Sequence, residues 1–143
     1  DKLLRYGEKF YILVSSFCFA IVHGVSLGIP QIIYTFILGM IWSYLMVKTG
    51  DIKLVIIMHA LSNLFGSVIT QTLMSISMIA TGLYSMLLIL LGIIGLILFL
   101  VNKKKIILDE EKGLFSKVVI KDMLINKGIV FYVAVTILVM CLK

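Results

Sequence analysis

The run from Leu54 to Asn102, LVIIMHALSNLFGSVITQTLMSISMIATGLYSMLLILLGIIGLILFLVN, holds 49 residues without one Asp, Glu, Lys or Arg. A helix or strand on a soluble domain needs a wetted face, and so cannot go that far without a charge. At about 20 residues per membrane crossing, the run is two spanning helices. Two further charge-free runs flank it, Tyr11 to Val47 with 37 residues and Gly128 to Leu142 with 15. Together they make 101 charge-free positions, and all 20 charges, 13 Lys+Arg and 7 Asp+Glu, crowd into the other 42. The expected fold class is an all-α integral membrane protein, a bundle of about five transmembrane helices.

The remaining composition closes off other classes. One Pro, 11 Gly and 62% hydrophobic residues exclude a disordered or collagen-like chain, and two cysteines cannot build a disulfide framework. The chain opens on Asp1 and shows no signal peptide, which suggests that it starts partway into a longer protein.

Turn chemistry divides the runs. Gly28 and Pro30 break the first one, giving helices at about 10–28 and 31–47. The Thr, Gln and Ser cluster from Thr70 to Ser77 breaks the second, giving helices at about 52–70 and 77–101. Residues 1–101 then form the membrane core, 102–127 a basic, amphipathic loop, and 128–143 a short C-terminal membrane helix. If each helix crosses once, twelve of the 13 basic residues fall on one side, and only Lys143 lies across the membrane. The positive-inside rule makes that side the cytoplasm, with the N-terminus and the charged loops there, in a multi-pass protein of the cell membrane. The net charge of +6 is therefore topological, and the partner it implies is the lipid bilayer, with no nucleic acid. Leu114, Phe115, Val118, Val119 and Leu124 recur at helical spacing in the loop, which fits either a helix on anionic headgroups or a linker stiffened by one short helix.

At membrane depth the sequence places two ionisable imidazoles, His23 and His59. Polar side chains there are costly and usually face a partner or a water-filled cavity, so both are candidate functional residues. The competing reading is a neutral imidazole bonded to a backbone carbonyl for packing alone. His59, Ser62, Asn63, Gly66, Ser67 and Thr70 follow i, i+3, i+4, i+7, i+8, i+11, one face of an α-helix, on which His59 and Asn63 can offer two donors to one acceptor. Ser16, Phe19 and His23 share a face of the first helix, while Gln31, Thr35, Gly39 and Ser43 form a small-residue packing stripe on the second. Cys18 and Cys141 are too far apart in depth to pair, and without a third His or Cys a closed four-ligand zinc site is not expected from this chain alone.

Phe19-Ala-Ile-Val-His23 is Phe-x-x-x-His, and His59-Ala-Leu-Ser-Asn63 is His-x-x-x-Asn, with one membrane helix between them. This pair, over roughly Leu3 to Phe65, resembles the CPBP family of intramembrane proteases, also called the CAAX protease, bacteriocin-processing or Abi family. The resemblance implies an endopeptidase that cuts a membrane-associated peptide or protein, or a bacteriocin-immunity role using the same residues. It implies catalytic roles for His23, His59 and Asn63, with Phe19 in support. On the family's metal reading, His23 and His59 would be ligands of a metal such as zinc. The family's Glu-Glu-x-x-x-Arg motif is absent, and Glu8, in a linker-like segment, is not expected to replace it. The alternative is a catalytically inactive multi-pass membrane protein, an immunity or assembly partner with structural histidines.

Overall fold

The computed structural model describes residues 3–27, 29–109 and 116–141, and among them every regular element is helical. We label the helices α1 (Glu8–Leu27), α2 (Ile29–Thr49), α3 (Ile52–Ile76), α4 (Met78–Asn102), α5 (Lys117–Ile125) and α6 (Lys127–Cys141). Ile29–Thr49, Ile52–Ile76 and Met78–Lys105 are long and apolar enough to cross a membrane. Their 21, 25 and 28 residues exceed the roughly 20 that a bilayer core requires. This is an all-α membrane protein. The 15 residues of α6 fall short of that length. The chain separates into two compact units, residues 1–50 with 108–143, and residues 51–107.

The first unit is built on a close approach of α1 and α2. A Cβ added at Gly39 would stand 2.9 Å from the Ser16 Cα, so only a glycine lets these backbones meet as they do. Around that point Ser16, Ala20, Thr35, Trp42 and Ser43 are buried. Two of the buried hydroxyls bond inside their own helices, Ser16 donating to Ile12 O and Thr35 to Gln31 O at 2.7 Å. The i+4 stripe Thr35, Gly39, Ser43 is thus a packing seam. α2 begins two residues before its expected start, because Pro30 in a first helical turn has no N–H to waste. It ends on Gly50, whose φ of 65° and N–H bond to Met46 O (2.8 Å) make a left-handed cap.

The segment after residue 108 returns to this unit. Val119 of α5 is fully buried against Tyr6 and Phe10, and the Tyr6 hydroxyl donates to Asp122 at 3.0 Å. The loop's helical part is therefore docked protein, while Leu114 and Phe115 lie outside the described residues. From α6, the Tyr132 hydroxyl donates to the Cys18 carbonyl of α1.

In the second unit, α3 starts at Asp51, whose side chain accepts from the Lys53 and Leu54 N–H groups (2.8 and 3.4 Å). The expected break over Thr70 to Ser77 shrinks to Ser77 alone. The polar cluster does not interrupt the helix because two of its hydroxyls bond back into it, Thr72 to Val68 O and Ser75 to Thr72 O. Ser77 turns the chain with extended φ/ψ (−158°, 122°) and caps α4 by accepting from Ala80 N–H at 3.3 Å. No residue of α3 or α4 is buried, and large apolar side chains stand out all round α4. Such a helix belongs in lipid.

Candidate functional site

The sequence-predicted residues fall into two groups, one in each unit. In the first, Phe19 and His23 lie one turn apart on α1 with ring centroids 4.3 Å apart and planes tilted by 39°. The His23 Nδ1–H donates to the Phe19 carbonyl at 2.8 Å. That bond assigns the proton of a neutral imidazole to Nδ1 and leaves the basic lone pair on Nε2. The Phe-x-x-x-His spacing has a local physical logic: the same i,i+4 relation supplies both the carbonyl that sets the tautomer and the ring that limits imidazole rotation.

In the second unit, His59 and Asn63 also sit one turn apart, and the Asn63 amide donates to His59 Nε2 at 3.1 Å. The proton of the neutral ring then belongs on Nδ1. The two side chains meet as expected, but they bond to each other and do not converge on a third acceptor. The Asn63 NH₂ has a second N–H, and that is the donor it can offer to a substrate oxygen while the pair stays intact.

Directly after Asn63 the helix widens. Leu64–Val68 form a π turn, in which Ile69 N–H reaches back five residues to Leu64 O. One surplus residue rotates everything beyond it by about 100° relative to an unbroken α-helix. His59, Ser62 and Asn63 keep their common face, but Gly66, Ser67 and Thr70 leave the i+7, i+8 and i+11 positions that α-spacing assigns them. Among the carbonyls of the wide turn, Phe65 O accepts from the Tyr84 hydroxyl of α4 at 2.8 Å. Sequence spacing cannot reveal a π turn, because it assumes a uniform helix. The one available signal is Gly66-Ser67 in mid-span, which is ambiguous with a packing stripe.

The chain's similarity to known proteins coincides with these two groups. Residues 1–65 match the family described as type II CAAX prenyl endopeptidase, Rce1-like. No curated protein and no solved structure matches the chain. The Rce1-like stretch contains Phe19, His23, His59 and Asn63 and ends at the first residues of the π turn. Over that stretch the chain is similar to type II CAAX prenyl endopeptidases, in agreement with the resemblance read from the two motifs.

Glu8, the carboxylate nearest to His23 in the Rce1-like sequence, is committed elsewhere. Its Oε2 accepts from Lys48 Nζ at 2.6 Å and from the Asp109 N–H at 3.0 Å, while its own N–H donates to Asp109 O at 2.9 Å. The Lys48 hydrogen bond, aided by the Asp109 N–H and opposed by partial burial, holds its carboxyl below the usual carboxylate range. Glu8 thus ties the start of α1 to the end of α2 and to the strap before α5. Among the described residues no three His, Cys, Asp or Glu gather as a metal-binding group. Zinc takes three or four protein ligands, so His23 and His59 by themselves do not fit it.

Proposed function

We propose that this chain is part of a CPBP-type intramembrane endopeptidase of the cell membrane, with its N-terminus and charged loops cytoplasmic. It hydrolyses a peptide bond of a membrane-associated peptide or protein. The observation that carries this reading is the pair of one-turn hydrogen bonds, His23 to the Phe19 carbonyl and Asn63 to His59. His23 presents a basic Nε2, as proton acceptance from an attacking water requires. The His59–Asn63 pair keeps an amide N–H at one helical turn's spacing, as stabilisation of the oxyanion requires. The carboxylate that would hold and activate the water with His23 is assigned to a preceding helix bearing the Glu-Glu-x-x-x-Arg motif. Glu8 is excluded from that role by its Lys48 and Asp109 bonds.

A second reading draws on the same bonds. Each imidazole makes a hydrogen bond within its own helix, as a catalytically inactive immunity or assembly partner would need. The two readings separate in one experiment, with the whole natural protein in proteoliposomes and a membrane-anchored peptide as reporter. The peptidase reading expects His23→Ala and His59→Ala to abolish cleavage at unchanged abundance. Loss of abundance in both, or a wild type that cuts no membrane-anchored peptide, would leave the inactive reading standing.

A further inference from the structure

The π turn poses a hydrogen-bonding problem with a definite solution. Ile69 N–H takes Leu64 O, five residues back, and α-spacing resumes from Ile69. In an α-helix the Thr70 N–H takes Gly66 O. The return to α-spacing therefore skips one carbonyl, that of Phe65. In lipid no water is present to satisfy it. The Tyr84 hydroxyl does so at 2.8 Å, from the neighbouring helix of the same unit.

We propose that Tyr84 is a positioning residue for the His59–Asn63 pair, acting through the π turn it stabilises. The lower part of α3, Ile69–Ile76, packs against α4 and is joined to it by the short Ser77 turn. The upper part carries His59 and Asn63, and the π turn is the coupling between the two parts. If the turn collapses to α-geometry, its surplus residue is absorbed and the upper part rotates by about 100° against the lower. That rotation takes the pair off the direction it now faces. Tyr84 opposes the collapse because the skipped carbonyl, and with it the reason for the hydroxyl, exists only while the turn is wide. It lies outside the Rce1-like stretch and no motif contains it.

The catalytic consequence rests on the peptidase reading above, whereas the geometric consequence does not, and the test separates them. The whole natural protein, carrying ¹⁵N-histidine and ¹³C-carbonyl phenylalanine, is placed in lipid bilayers and compared with Tyr84→Phe by solid-state NMR. The expected result is a displaced His59 imidazole ¹⁵N signal with His23 unmoved. A stationary His59, or both histidines moving alike, overturns the proposal. If Tyr84→Phe does not accumulate, the wild type decides: deuterating exchangeable hydroxyls should shift the Phe65 carbonyl ¹³C signal, and no shift overturns it. In the peptide-cleavage assay Tyr84→Phe is expected to lower kcat by about tenfold to a hundredfold with KM unchanged. A raised KM with unchanged kcat contradicts positioning. A wild type without cleavage sinks the peptidase reading and leaves the spectroscopic result to decide on Tyr84.

Discussion

The α1–α2 seam and the α3 polar face draw on the same residue types and put them to opposite use. In the seam, Ser16, Thr35 and Ser43 are buried, and Gly39 lets two backbones touch. On α3, Asn63, Gly66 and Ser67 are exposed, and none of Gly82, Gly92 and Gly95 on α4 meets a neighbour within 4 Å of an added Cβ. A small or polar residue in a membrane helix is therefore explained by what covers it. Covered, it is packing; uncovered and beside an imidazole, as on α3, it is open to the peptidase role proposed above.

The comparison breaks most visibly if a residue of the α3 face behaves like one of the seam. Asn63→Ala is expected to lower peptide cleavage by about 10²-fold to 10³-fold, as removal of an oxyanion donor does, at unchanged abundance. Ser16→Ala should leave turnover per folded molecule alone, and the two are read together in proteoliposomes normalised to protein content. If Asn63→Ala mainly reduces abundance, the α3 face is packing too.

A smaller effect separates the glycines. Gly39→Ala drives a methyl into the Ser16 backbone and is expected to cost about 1–3 kcal/mol, as overpacking does. Gly92→Ala enters open space and should change stability by no more than about 0.5 kcal/mol. Unfolding titrations in mixed micelles measure both, and equal effects would remove the distinction between a seam and a lipid face.

The least effect is expected at the rim of the first unit. Glu8→Gln removes a solvent-exposed ion pair, a kind of contact that adds little to stability. Because Glu8 has a lowered pKa in the folded protein, its contribution is fully present above its unfolded value of about 4.3 and is lost as pH falls through the lower folded value. Wild type should therefore lose more stability than Glu8→Gln between neutral pH and pH 3, followed by thermal unfolding in micelles. Parallel losses would show that the Lys48 tie contributes nothing.

Much of this was legible in the residues. The charge-free runs locate the spans because the cost of a charge in hydrocarbon leaves no other arrangement, and the i+4 stripe Thr35, Gly39, Ser43 announces a seam because small residues are what close helix approach requires. The two histidine motifs are legible for a similar reason, since each depends on partners one turn away on its own helix. The Thr70–Ser77 cluster misleads because hydroxyls that break a helix in water can bond back into it, as Thr72 and Ser75 do.

The amino-acid sequence by itself thus determined the all-α membrane class, the small-residue seam and the one-turn pairings of Phe19 with His23 and of His59 with Asn63, all consequences of local spacing and of what lipid forbids. Only the tertiary structure decided that α5 docks through Val119, that Glu8 is held by Lys48 and Asp109, and that a π turn capped by Tyr84 follows Asn63. Each of these joins residues between 19 and 113 positions apart, and a contact between residues distant in sequence leaves no periodicity along the chain from which it could be read.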